Sequence, residues 1–256
     1  MESRRTRRDT HDYSRFASFY AKRGVLGSDY VAFRDLPTIL SRCTEGCQAL
    51  DVGCGAGRST RFLRGLGYSS VGVDVESAMI AQAARADPEG RYLEVARSCF
   101  PFPDGIFDLV FSSNVLLEIS SREAMKELLT ECVRVKKGTG YLVIITNSPE
   151  FHEGDWVSCE VDFPENLAPL RSGQIVRVCL VPECVELLDY FWSDADYKRV
   201  FAEVGLALVE DPRPLGLESD PVVWKDEAHR APYVVYVAAV GSEPCGRRAV
   251  LVPVTT

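Results

Sequence analysis

The chain is poor in histidine, with three in all, and has no surplus of positive charge: its formal net charge is −8. A protein that grips phosphate backbones without sequence preference needs clustered cations to displace counterions, so nucleic acid is not an expected partner. The one basic run, Arg4, Arg5, Arg7 and Arg8, reads as a solvated terminal segment rather than a tail for an anionic partner. No apolar run reaches the length that spans a bilayer, and no hydrophobic stretch follows the arginines as a signal peptide would require. The expectation is therefore a cytoplasmic protein with no membrane contact. A disulfide framework is also disfavoured, because the nine cysteines are odd in number and several sit in apolar strand-like runs, as Cys179 does. Cys43 and Cys47 have the spacing of a metal half-site, but no second Cys/His pair with zinc spacing follows, so no metal is expected. Internal repeats and low-complexity segments are lacking too.

What the chain does have is apolar content, 46% of 256 residues, enough for one sizeable core. From residue 48 onward short apolar runs alternate with longer amphipathic ones, the mark of βαβ units feeding a parallel sheet. Strands are expected at 48–52, 70–74, 91–95, 107–112 and 141–146, with helices at 58–66, 77–86 and 121–133. Ser77 and Ser121 are candidate helix N-caps, and Gly138 and Gly140 are expected to turn the chain into the fifth strand. The alternation then breaks. Residues 156–163, 174–181 and 185–192 read as antiparallel strands punctuated by prolines. A helix over 194–204, a strand at 206–209, a proline-bearing loop and a last strand at 233–240 complete the pattern. The segment 11–40 is expected to be largely helical.

The informative stretch is Leu50-Asp51-Val52-Gly53-Cys54-Gly55-Ala56-Gly57-Arg58. An apolar strand enters three alternating glycines and a helix opens at once. Glycine is required where a chain takes positive φ or where a ligand must touch backbone, and the carboxyl end of a parallel strand beside a helix N-terminus is where such folds bind nucleotides. A dinucleotide loop would carry its third glycine one position later, where Arg58 stands. A phosphate loop is excluded because no Gly-Lys-Ser/Thr follows. A ligand with an adenosine and a zwitterionic tail suits this shorter loop better. Asp74 closes the second strand about twenty residues on, where a carboxylate can accept from both ribose hydroxyls.

At these residues the chain resembles the class I, Rossmann-like S-adenosylmethionine-dependent methyltransferases, and among them the small-molecule branch. Residues 50–57 match that family's first motif, Asp74 its ribose-binding acid, and Ser77 with Met79 the helix that follows. Phe100-Pro101-Phe102-Pro103-Asp104 and Phe107-Asp108-Leu109-Val110 match the approach to strand four, and Asn114 with Val115-Leu116-Leu117 the segment after it. The resemblance is strong over residues 48–146 and weaker over 196–206 and the final strand. It implies an α/β fold: a doubly wound, mostly parallel sheet with an antiparallel last strand, and a small antiparallel β insert after strand five acting as a lid. One domain would then comprise a helical cap (1–46), a cofactor-binding core (47–148), a substrate lid (149–192) and the rest of the core (193–256).

The resemblance also implies S-adenosylmethionine as cofactor, with S-adenosylhomocysteine as product. The cofactor would be held by Asp51, Gly53, Gly55, Gly57, Asp74, Val75, Met79, Asn114 and Tyr20. The family often places Gly-Asp-Ala after strand three. Here Val95-Ala96-Arg97 stands instead, which leaves adenine to the backbone of Ala96 and Arg97 and to Ser98, or else weakens the affinity. Methyl transfer from a sulfonium needs alignment in a dry pocket rather than a metal, and a hydroxyl acceptor gains from a general base. His152, just beyond strand five, is the candidate base. Tyr13, Glu118, Trp156 and Trp192 are candidate acceptor contacts. The expected partner is a small-molecule acceptor, and the protein is expected to be a monomer or homodimer. No Asp/Asn-Pro-Pro-Tyr/Phe follows strand four, which disfavours nucleic-acid modification. A protein or peptide acceptor, or a fold that has become a cyclase or a binding protein, stays open.

Overall fold

The structure, a computed structural model, describes residues 17–22, 24–167 and 169–241. Two helices, α1 (Ala17–Lys22) and α2 (Ser28–Cys43), precede the alternating units. These run β1 (Gln48–Val52), α3 (Arg58–Gly65), β2 (Ser69–Asp74), α4 (Ser77–Ala86), β3 (Arg91–Glu94), β4 (Phe107–Ser113), α5 (Arg122–Val135) and β5 (Lys136–Asn147). Three short antiparallel strands follow, β6 (Cys159–Glu160), β7 (Gln174–Leu180) and β8 (Val185–Phe191), and then α6 (Asp194–Glu203), β9 (Leu206–Glu210) and β10 (Tyr233–Val240). Tyr13, Phe16 and Cys245 lie outside the described residues, and so does the part of the expected N-terminal helix before residue 17.

Seven strands form one sheet in the order β3-β2-β1-β4-β5-β10-β9. β1 pairs in parallel with β2 and β4, and β4 with β5, while β10 runs antiparallel to both β5 and β9. The central strands read as nearly unbroken apolar runs because both faces are covered by helices. Successive residues go to opposite faces. Leu50, Val110, Ile144, Val234 and Tyr236 pack on one side with α5 and α6, through Met125, Leu128, Tyr197 and Phe201. Ala49, Leu109, Phe111, Val143 and Val235 pack on the other, with Phe33, Leu36 and Leu40 of α2 and Leu63 of α3. No disulfide joins the described cysteines.

Several boundaries differ from those expected. β5 begins at Lys136, directly after α5, so Gly138 and Gly140 lie inside an irregular strand start rather than in a turn. Gly140 is needed there because a Cβ would come within 2.8 Å of the Asp108 carbonyl oxygen. Ser121 caps α5, its hydroxyl accepting from Ala124 N, but at α4 the cap position is Glu76, and Ser77 is the first helical residue. The expected strand 156–163 shrinks to two residues. Asn166 takes over its pairing: Nδ2 donates to the carbonyls of Val161 and Arg177, and Oδ1 accepts from Arg177 N. A side chain can satisfy backbone groups that a strand would otherwise pair.

Candidate active site

The carboxyl ends of β1, β2 and β4 open into a cavity of about 740 Å³ whose far wall is the three-stranded sheet β6-β7-β8. Such a volume is in the range of small-molecule sites. At its base is the glycine loop, with Gly53, Gly55 and Gly57 all at positive φ (69°, 52° and 81°). The loop is tied to β2 by Gly53 N and Cys54 N, both donating to the Val73 carbonyl. The three glycines have different reasons. A Cβ on Gly53 would overlap Val115, and one on Gly57 would press on the Tyr92 ring and Ala83, so these two serve close packing. A Cβ on Gly55 would meet no protein atom within 4 Å. Gly55 lines the cavity, Gly57 does not.

Asp74 ends β2 at the cavity wall. Its Oδ2 accepts from Gly55 N at 2.7 Å and its Oδ1 from Glu76 N at 2.9 Å, which fixes the carboxylate and leaves lone pairs on both oxygens. Burial raises its pKa above the ordinary carboxylate value, against the backbone donors of Glu76, Gly55 and Val75. Val75 and Met79 line the same end, and Met79 packs with Ala56, Ala17 and Tyr20. Ala96, Arg97 and Ser98 form the next wall, and Asn114 the floor after β4. Ser98 and Asn114 both take left-handed backbone (φ 57° and 59°). Ser98 Oγ, Ser113 Oγ and Asn114 Oδ1 are buried and have no hydrogen-bond partner among the described residues. Strained backbone and orphaned polar atoms gathered at one cavity mark a place built for a ligand.

Asp51 lies beneath the loop, fully buried and outside the lining. Its Oδ2 accepts from the Ser59 and Thr60 hydroxyls and so holds the first turn of α3, and burial pushes its pKa up to about 6. The expected direct contact of Asp51 with the cofactor is thus replaced by support from below. A polar cluster that sequence reasoning missed closes the side of the cavity. Arg58 Nη1 pairs with Asp29 Oδ2 at 2.6 Å, and Tyr233 Oη donates to Asp29 Oδ1 at 3.1 Å. The three come from α3, α2 and β10, and no local spacing links them.

Comparison with known proteins gives the same picture. Residues 50–144 match the model of a methyltransferase domain. The chain is 26% identical over 189 residues to a demethylmenaquinone methyltransferase of Beutenbergia cavernae, covering 71% of this chain and 75% of that protein. It is 29% identical over 102 residues to a malonyl-[acyl-carrier protein] O-methyltransferase of Pectobacterium atrosepticum, covering 40% and 39%. Most of the curated relatives are spanned over about half their length or less. The structure of the CcbJ methyltransferase from Streptomyces caelestis superposes with a TM-score of 0.61 at 16% identity, over 89% of this chain and 96% of that one. Residues 50–144 thus resemble a methyltransferase domain, and the fold is that of the Streptomyces structure.

The residues at the glycine loop fit S-adenosylmethionine: an open cradle at Gly55, a fixed carboxylate at Asp74 and unsatisfied polar atoms at Ser98 and Asn114. Of the two arginines that line the cavity, Arg58 is committed to Asp29. No group of three or more His, Cys, Asp or Glu that could hold a metal occurs among the described residues.

The acceptor end corrects three expectations. His152 is 8% exposed and does not line the cavity. Its ring lies edge-on to Phe151 and Phe191, and burial lowers its pKa to about 4. A base must reach the proton it removes, and His152 does not. Trp156 is fully buried, stacks on Phe151 and donates from Nε1 to the Phe151 carbonyl. Trp192 donates from Nε1 to the Ile119 carbonyl and packs in the main core. Both tryptophans anchor the segment around the β6-β7-β8 sheet rather than line the cavity. Glu118 does line it, as do Phe151, Ile175, Leu187, Asp189 and Tyr190.

Proposed function

We propose that the protein transfers the methyl group of S-adenosylmethionine to a small, largely apolar acceptor held beneath the β6-β7-β8 lid. The observation that carries this reading is the continuity of the cavity, which runs from Gly55 and Asp74 at one end to Ile175, Val178, Leu180 and Leu187 at the other. Donor and acceptor would share one dry space, and juxtaposition of that kind contributes about 7–11 kcal/mol in favourable cases. When bound, the donor supplies an electrophilic methyl group that needs no further activation.

The rest is done by the chain. Asp74 would hold the ribose, and the Ala96–Ser98 wall and Met79 would enclose the adenine. The Gly55 backbone would lie against the amino-acid tail. Asn114 Oδ1 and Ser98 Oγ would find in the donor the partners they lack. Tyr20 lines the same cavity and would cover it from α1. The hydrocarbon lid face excludes water and orients an apolar acceptor. The Beutenbergia relative, named for a quinone precursor, supports an acceptor of that character.

The test is incubation with isotopically labelled S-adenosylmethionine and a panel of quinols, phenols, amines and carboxylates. Label is expected in an apolar member of the panel. Donor binding without transfer to any member would contradict the proposal.

A further inference from the structure

We infer that Asn147 binds the acceptor, and that the acceptor presents to it a neutral oxygen, a carbonyl or a hydroxyl, at one edge of a hydrocarbon body. The inference rests on the methyl transfer proposed above and deepens it by naming the acceptor's chemistry.

On the face of the large sheet that meets α2, three neighbouring strands change character at one level. Along β4 that face reads Leu109, Phe111, Ser113, and along β5 Val143, Ile145, Asn147. Along β10, which runs the other way, it reads Val237, Val235, Tyr233. Register sets the three side by side: Phe111 pairs with Val143, Ser113 with Ile145, and Asn147 with Tyr233. The first two positions on each strand are hydrocarbon and pack with Phe33, Leu36 and Leu40 of α2. The third is polar on all three strands, and all three residues line the cavity. A strand end turned to solvent is polar as a matter of course, but this one lies in the cavity, with Val178, Leu180 and Leu187 on the wall across from it.

The hydrogen-bonding capacity at this level is only partly used. Tyr233 Oη donates to Asp29 Oδ1. Ser113 Oγ is buried with no partner, and the half-buried Asn147 amide makes no side-chain hydrogen bond among the described residues. An amide offers two donors and a carbonyl oxygen, and leaving them unpaired once water is expelled is costly. A bound molecule that brings its own oxygen to Asn147 removes that cost.

Strand order places this platform on the acceptor side. The donor end is built on β1 and β2, and the sheet continues β2-β1-β4-β5-β10, so Asn147 stands two strands beyond Gly53. A molecule lying between the platform and the β7–β8 wall meets neutral polar groups on one side and hydrocarbon on the other. An anionic edge does not suit the platform: Asp29 is bonded to Tyr233, and the guanidinium tied to this cluster, Arg58, is paired with Asp29.

The experiment measures equilibrium binding to the full chain saturated with S-adenosylhomocysteine. The probes are 2-naphthol and 1-tetralone, their oxygen-free parents naphthalene and tetralin, and the charged 2-naphthoate and 2-naphthylmethylamine. The proteins are wild type, Asn147→Leu and Asn147→Asp. Wild type is expected to bind 2-naphthol or 1-tetralone about tenfold or more tighter than the matching parent. Asn147→Leu should lose that preference, bind the parents no more weakly, and keep both its affinity for S-adenosylhomocysteine and the wild-type Tm. A merely structural role would instead lower Tm or weaken all probes alike. Asn147→Asp can only accept when ionised, so it should keep any preference for 2-naphthol and lose any for 1-tetralone. An unchanged preference in Asn147→Leu, a lowered Tm in that variant, no preference for oxygen in wild type, or tighter binding of either charged probe would overturn the inference. Failure of wild type to bind S-adenosylhomocysteine would instead overturn the proposed function.

Discussion

At the scale of single residues, burial around the cavity sets some side chains against their ordinary behaviour. Burial lowers the His152 pKa from 6.5 to about 4. A folded-state pKa below the unfolded one means that the unfolded chain binds the proton more readily, so stability falls as pH drops from about 6.5 toward 4. Between pH 7 and pH 5 this group alone should cost about 2 kcal/mol. Asp51 acts in the opposite sense, because its raised pKa favours the folded state as pH falls through about 6. The clean measurement is therefore a difference. His152→Leu should lose less stability than wild type between pH 7 and pH 5 in urea unfolding. Parallel losses would place the imidazole in water. The glycines offer a second contrast. Gly53→Ala forces a methyl into Val115 and should lower Tm sharply. Gly55→Ala meets only open cavity, so beyond its positive-φ strain its main effect should be weaker binding of S-adenosylhomocysteine. Equal effects of the two on Tm and on binding would contradict the distinction drawn between them.

At the scale of elements, the strands and helices of the alternating core were legible because each carries its own period and punctuation. β1, α4 and β10 fall where the pattern puts them. The glycine loop and Asp74 were legible for the same reason: their chemistry is local, encoded in spacing along one strand–turn–helix unit. What was not legible is what tertiary packing decides. The Asp29–Arg58–Tyr233 cluster joins three distant segments. Asn166 replaces most of a strand. Loop position suggested His152 as a base and the indoles as acceptor walls, but Trp156 and Trp192 are anchors, each indole donating to a backbone carbonyl. One element boundary is unusually well fixed: at α6 the Ser193 hydroxyl accepts from Asp196 N, while Asp196 accepts from Ser193 and also from Ser172 and Arg122. This joint ties the segment before β7 to α5 and α6. Ser193→Ala should cost about 0.5–2 kcal/mol in denaturant unfolding, and no loss would show the cap to be idle.

At the scale of the whole molecule, two sheets face one another across a single cavity. The large sheet presents the donor end through the ends of β1, β2 and β4, and the small one presents hydrocarbon and Asp189 from β7 and β8. Among the described residues no helix is long and apolar enough to cross a membrane. Ligand at the donor end binds the folded chain alone, so saturation at about 100 times Kd should add roughly 2.7 kcal/mol to stability. The most direct measurement is calorimetric titration of S-adenosylhomocysteine into wild type and Asp74→Ala, with NAD as the control ligand. Wild type should bind S-adenosylhomocysteine and not NAD, and Asp74→Ala should bind it about 10- to 100-fold more weakly, as expected for losing hydrogen bonds to a charged acceptor. Unchanged affinity in Asp74→Ala, or binding of NAD in preference, would contradict the account.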